Sequence, residues 1–258
     1  MSNLRTIKLT VEYDGMDYSG WQRQDNAITI QQKIEEALEP LFQQPITIEG
    51  SGRTDAGVHA IAQIASFHFD DSADRGIVKH GKRLDRIKLR RSINSTLPNN
   101  IVITDTREMP TDFHARFSAK GKRYRYLVLN RSYSSAFYAN RCWYYPYPLS
   151  LARMRQAGRL LKGRKSFRAF TSQAHEGKSY VRNLHRVSIS QDGPWFTFVF
   201  EADGFLYNMI RNIVGTLTDT GKGIIEPKKI AQILESEQRR CAGTKAPPQG
   251  LYLEKVFY

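Results

Sequence analysis

Strand-like and helix-like stretches follow one another along this chain without a regular strand–helix–strand alternation, an order that argues against a doubly wound fold. Residues 5–13 alternate apolar and polar side chains and stop at Asp14-Gly15, as a half-buried strand does. Residues 29–38 switch to the helical period, with Ile30, Ile34, Ala37, Leu38 and Leu41 on one face. Thr29 and Gln32 have capping-box spacing, and Pro40 marks the expected end. Strands are expected near 46–50 and over 61–69, a helix over 84–94 and a strand over 101–107. The stretch 122–130 reads as a strand with Tyr124, Tyr126 and Val128 on one side. A helix over 150–161 precedes strands at 183–190 and 195–202, separated by a turn at Asp192-Gly193-Pro194. Residues 206–217 form the strongest helical pattern, with Leu206, Ile210, Ile213, Val214 and Leu217 as its apolar stripe. A helix over 227–236 and a strand over 250–257 complete the chain. The pattern predicts an α+β fold with antiparallel sheet. No linker divides it cleanly; Met109-Pro110-Thr111-Asp112 is the nearest candidate, giving expected halves 1–112 and 113–258. Val11-Glu-Tyr-Asp-Gly15 is echoed by Phe200-Glu-Ala-Asp-Gly204, a similarity short enough to arise by chance.

Charge narrows the class of partner. Thirty-nine Lys and Arg stand against 25 Asp and Glu, a formal net charge of +14, which favours a polyanion, most simply nucleic acid. The basic stretch 70–91, with Lys79, Lys82, Arg83, Arg86, Lys88, Arg90 and Arg91 against Asp71, Asp74 and Asp85, is either a solvated face or a phosphate contact. Cys142 and Cys241 form no disulfide framework, and the six histidines, His175 among them, show no helical pair of metal-ligand type. Gly215 to Gly223 contains Gly-Lys-Gly, but its spacing is one residue too long for a phosphate-binding loop and Gly223 stands where Ser or Thr is required. No metal or cofactor site is expected. The N-terminal segment lacks the apolar core of a signal peptide, and no apolar run approaches membrane-spanning length. The expectation is a cytoplasmic protein without membrane contact.

The chemistry concentrates in Gly52-Arg-Thr-Asp55-Ala-Gly57-Val-His59, just before the alternating run Ile61–Phe69. In an extended segment Arg53 and Asp55 share a face, and a guanidinium beside a carboxylate keeps it ionised. Taken alone, Asp-Ala-Gly is also an ordinary turn and Arg-x-Asp an ordinary surface pair. Further along, Lys122-Arg123-Tyr124-Arg125-Tyr126 interleaves cations with aromatic rings, a composition that suits phosphates and stacked bases as well as a plain strand.

Residue for residue, the Asp55 octapeptide resembles the catalytic loop of the tRNA pseudouridine synthase A family. Phe113-His-Ala-Arg-Phe-Ser118, Gly204-Phe-Leu-Tyr-Asn-Met-Ile-Arg211-Asn-Ile-Val-Gly215 and Ala246-Pro-Pro-Gln-Gly-Leu-Tyr-Leu253 also resemble family segments, in the family's order. The similarity spans Tyr13 to Leu253 and departs in 72–91 and in the aromatic stretch 133–147. It implies two related halves whose antiparallel sheets join around a central RNA-binding cleft, a homodimer, and isomerisation of uridine at tRNA positions 38, 39 and 40 without a cofactor. It further implies Asp55 as the catalytic carboxylate, with Arg53 and Arg211 as cationic neighbours unless Arg53 turns to the RNA. Tyr124 is implied to stack on the target base and Leu251 to pack near it. Lys82, Arg83, Lys122 and Arg123 are the candidate RNA-binding cations. Two other classes fit the residues: a non-catalytic RNA-binding protein, against which the intact Asp55 loop argues, and a glycosidic hydrolase, which would want Asp14 or Asp203 as a second carboxylate.

Overall fold

The alternation over 5–13 forms β1 (Leu4–Tyr13), whose Ile7, Leu9, Val11 and Tyr13 are all buried. The computed structural model describes residues 4–72, 75–173 and 179–258; Asp74 and His175 lie outside them. Two compact units result, Met1–Lys120 with Leu253–Tyr258, and Gly121–Tyr252. Within the first, β1 pairs antiparallel on one side with β3 (His59–Asp70) and on the other with β4 (Ile101–Met109), and the two-residue β2 (Glu49–Gly50) adds to β3.

Helix α1 (Ile30–Phe42) begins where predicted, with Thr29 capping the N–H of Gln32. It does not end at Pro40 but runs through it to Phe42. A proline here removes only the bond to the Glu36 carbonyl, and Glu36 and Pro40 both face solvent, where water can accept the orphaned group. Phe42, fully buried, anchors the last turn edge-on against Phe67 and Phe69 at 5.2 and 5.0 Å between ring centres. The expected strand over 46–50 shrinks to Glu49–Gly50 for a related reason. The Ile48 N–H donates to Glu35 Oε1 (3.1 Å) and its carbonyl accepts from Gln31 Nε2 (3.2 Å), so helix side chains satisfy backbone that a strand partner would otherwise hold. α2 (Arg86–Asn94) is capped by Asp85, which accepts from the N–H groups of Ile87 and Lys88.

In the second unit, β5 (Gly121–Leu129) pairs antiparallel with β9 (Trp195–Ala202), β9 with β8 (Val181–Asp192), and β8 with β7 (Gly163–Ser166). β6 (Trp143–Tyr144) pairs with β5 in parallel. β6 and β7 are too short for hydrophobic period to reveal. Tyr124, Tyr126 and Val128 stand opposite the buried Phe200, Phe198 and Phe196, as their shared face predicts. α3 (Leu151–Leu160), α4 (Met209–Lys222) and α5 (Lys229–Ser236) complete the unit. α4 starts three residues later than predicted. Asn208, in the left-handed conformation at φ 58°, sets its start, and Leu206 falls outside it. The expected closing strand is β10 (Leu251–Phe257).

Among the described residues, five α-helices accompany strands that pair mostly antiparallel, β5 with β6 being parallel, which is the predicted α+β class. The sequence echo has a structural counterpart. Asp14-Gly15 follows β1 and Asp203-Gly204 follows β9, each a strand with neighbours on both sides in its own unit.

Candidate active site

Asp55 lies in the loop between β2 and β3, not in a strand, and its side chain is half-buried. The alternation expected of extended chain persists locally: Arg53 is exposed, Thr54 buried, Asp55 again toward the surface. A set of hydrogen bonds holds this loop. The Ser51 N–H donates to the Ile64 carbonyl (2.7 Å). Fully buried Gln63 accepts from Ser51 Oγ (2.7 Å) and donates to the Gly52 carbonyl (2.9 Å). The Thr54 hydroxyl bonds the Tyr13 phenol (2.8 Å) while its carbonyl accepts from Trp21 N–H (3.1 Å). Burial raises the Tyr13 phenol far above its usual titration range, so it stays protonated. Finally, the Val58 N–H closes a turn onto the Asp55 carbonyl (3.1 Å), with Gly57 at φ 74°. Gly20, at φ 91°, packs its main chain on the loop; a Cβ there would lie 2.6 Å from the Thr54 oxygen. The aspartate is thus presented by backbone clamped on both sides.

Arg53 forms no ion pair among the described residues; its Nε donates to Gln22 Oε1 at 3.2 Å. Gln22 Nε2 in turn donates to Gln31 Oε1 (2.9 Å), and Gln31 Nε2 to Glu35 Oε1 (2.8 Å). The other oxygen of Glu35 pairs with Arg23 (2.8 Å). A chain of polar side chains therefore ties Arg53 to α1. Asp14, the alternative carboxylate, accepts from the Met16 N–H and lies 3.1 Å from His59 Nδ1. That nitrogen already accepts from Gly15 N–H (3.1 Å), so a neutral His59 has no Nδ1 proton to give Asp14. Asp203 accepts from Asn183 N–H in the other unit.

Arg211, Tyr124 and Leu251 all belong to the second unit. Arg211, in the first turn of α4, donates from Nε to the Ala246 carbonyl (2.9 Å) and from Nη1 to Asn208 Oδ1 (3.0 Å). The Ala246 N–H returns a bond to the Arg211 carbonyl (3.0 Å), so segment and helix fix each other. Tyr126, whose phenol burial raises, donates to the Pro247 carbonyl (2.7 Å). Its ring lies against Gly250, just before the buried Leu251. Tyr124 is buried with its ring edge-on to Phe205 at 5.1 Å. Of the candidate RNA-binding cations, Arg123 pairs across the ladder with Glu201 (2.8 Å), and Lys122 is half-buried. Lys82 and Arg83 are exposed in the first unit, where Arg5 Nη1 holds the Lys82 carbonyl (2.9 Å).

Sequence reasoning missed Gln22, Gln31, Glu35, Gln63 and Asn208. Only the pair Gln31 and Glu35 left a signal, two polar residues four apart beside the apolar stripe of α1. Among the described residues, no group of three or more His, Cys, Asp or Glu side chains is placed to hold a metal ion.

Comparison with known proteins adds the chemistry. The chain matches the family model described as tRNA pseudouridine synthase over residues 9–118 and 157–258. It is 42% identical over 255 residues to the tRNA pseudouridine synthase A of Acetivibrio thermocellus, covering 99% of this chain and 100% of the relative. Proteins of the same name from Thermoanaerobacter and Geobacillus strains are 39% and 40% identical over 255 residues, covering 99% and 98% of this chain and 100% and 98% of the relatives. Arg53, Asp55, Arg211 and Leu251 fall within the matched segments, and Tyr124 falls between them.

Proposed function

Because the chain belongs to the tRNA pseudouridine synthase family, isomerases acting on uridine in tRNA, we propose that it converts uridine to pseudouridine in the anticodon stem-loop, at positions 38, 39 and 40. The reaction breaks the bond from uracil N1 to ribose C1′, turns the base, and rejoins it through C5. Atoms and electrons balance within the nucleotide, so no co-reactant is needed. Asp55 acts at the sugar, either as nucleophile at C1′ or as the base of a glycal route. The observation that carries this reading is the clamped loop, which holds one half-exposed carboxylate on backbone fixed by Gln63, Thr54 and Trp21.

The remaining roles follow the resemblance. Arg211 is the cation that keeps the carboxylate ionised, Tyr124 the platform for a base taken out of its stack, and Leu251 an apolar wall beside it. Arg53, directed by Gln22, meets the RNA. Lys82, Arg83, Lys122 and Arg123 contribute to phosphate contact. The halves 1–112 and 113–258 divide these roles, the first carrying Asp55 and the second Tyr124 and Arg211. The enzyme works in the cytoplasm as a homodimer. No helix among the described residues is long and apolar enough to cross a membrane.

The test is conversion of unmodified tRNA, with pseudouridine mapped by position and free uracil measured. Isomerisation at 38, 39 or 40 without uracil release is expected, and Asp55→Asn should abolish it while tRNA still binds. Free uracil as the main product would mean a hydrolase, and binding without conversion a non-catalytic RNA-binding protein.

A further inference from the structure

The positive charge of this chain is localised in one stretch. Between Asp112 and Glu176 there is no aspartate or glutamate, but there are 14 lysines and arginines. The remainder of the chain then holds 25 cations against 25 anions and is formally neutral. The whole net charge of +14 thus resides in residues 113–175.

Several of these cations are occupied within the protein. Arg123 pairs with Glu201, Arg153 pairs with Glu226 and bonds the Thr220 carbonyl, and Arg131 bonds the carbonyls of Tyr133 and Ser134. Four others differ: Arg155, Arg159, Lys162 and Arg164 are exposed and have no ion pair among the described residues. They run in sequence from the outer face of α3 into β7. α3 buries Met154, Ala157 and Gly158, which leaves Arg155 and Arg159, one helical turn apart, on the side toward β8. There they line a recess of about 220 Å³ with Gly158, Val187, Ser188 and Ile189. Arg155 is anchored by its Nε on the Ile189 carbonyl (2.8 Å). Gly158 brings the helix close to the strand; a Cβ there would sit 3.2 Å from Val187 Cγ1.

We propose that this α3–β7 surface is a binding site for the phosphodiester backbone of RNA, in addition to the residues that surround the reacting nucleotide. The proposal rests on tRNA being the substrate. Two guanidiniums at one recess match the non-bridging oxygens of a phosphate, and the exposed Lys162 and Arg164 continue the cationic row along the chain. Such interactions position an RNA without reading its sequence. Residues 79–91 are locally basic too, with seven Lys and Arg against Asp85, but there Arg86 already pairs with Asp105 and Arg90 bonds the Thr104 carbonyl.

The experiment is the salt dependence of tRNA affinity for the full-length protein, measured by fluorescence anisotropy. R155Q/R159Q/K162Q/R164Q should bind unmodified tRNA at least about tenfold more weakly at low salt. The slope of log affinity against log salt should fall by roughly 0.7–0.9 for each phosphate that the variant no longer neutralises. R155K/R159K/K162R/R164K, which keeps every charge, should retain most of the slope. An unchanged slope in the glutamine variant, with wild-type circular dichroism, overturns the proposal and leaves the row to an acidic protein surface. A slope reduced equally in the charge-preserving variant also overturns it. Failure of the proposed function is seen separately, as absence of pseudouridine from reactions of the wild-type protein.

Discussion

Asp55 owes its placement to buried neighbours. Gln63 is the clearest: it bonds Ser51, the Gly52 carbonyl and the Ile64 N–H from a fully buried position. Gln63→Leu would leave those groups unpaired at roughly 1–3 kcal/mol each before relaxation. A melting temperature lowered by several degrees and a fall in kcat larger than the rise in KM are expected; a variant with normal turnover would show that the loop holds its shape without this side chain. Arg211 tests the electrostatics. If it holds Asp55 ionised, Arg211→Ala raises the carboxylate pKa, and the acid limb of kcat/KM moves to higher pH. A pH profile parallel to wild type, with loss only in tRNA affinity, would place Arg211 on the RNA-binding surface. Asn208 separates conformation from contact. Asn208→Gly keeps the left-handed backbone but removes the acceptor for Arg211 Nη1, so it should lower turnover while leaving stability nearly unchanged.

At the scale of elements, α4 is held by a close approach that admits no side chain. Gly215 packs directly on the main chain of Thr244, beside the segment that carries the Ala246 partner of Arg211. Gly215→Ala forces helix and segment apart, at about 1–3 kcal/mol, and should lower the melting temperature by several degrees. Activity should fall with it, since Ala246 would move off Arg211. α2 offers a pH test. The N–H groups of Lys88 and Ile87 hold the Asp85 carboxyl below the usual carboxylate range. A depressed folded pKa stabilises above the unfolded value, near ~3.9, and that stabilisation is lost as pH falls through the folded value. The stability advantage of wild type over Asp85→Asn, read by thermal unfolding, should therefore be present at neutral pH and vanish on acidification. α1 and the strand after it show how tertiary packing overrules local signals: Phe42 carries the helix past Pro40, and Glu35 with Gln31 takes the backbone bonds of Ile48.

For the molecule as a whole, charge is distributed unevenly between segments that look equally basic by eye. Lys79, Lys82, Arg83 and Lys88 changed together to glutamine should flatten the salt dependence of tRNA binding less than neutralising the row from Arg155 to Arg164. Equal effects would mean that residues 79–91 meet as many phosphates despite their acidic neighbours. Cys142 is expected to be inert at neutral pH in the folded protein, because burial raises its thiol pKa; thiol labelling should find Cys241 alone.

The α+β class and the sites of the principal helices and strands were legible in the order of residues, and so was membership of the family that the Asp55 octapeptide resembles. Hydrophobic period, capping residues and a specific octapeptide are local properties, and local properties survive in a sequence read one residue at a time. The clamp on that octapeptide was not legible. Gln63, Tyr13 and Trp21 reach Ser51, Gly52 and Thr54 from separate strands and loops, and nothing in a lone glutamine announces such a partner. The same holds for the tether of Arg53 to Gln22, a residue with no signal in the sequence. Hydrogen bonds between distant residues depend on which side chains folding brings within about 3 Å, and only the tertiary structure decides that.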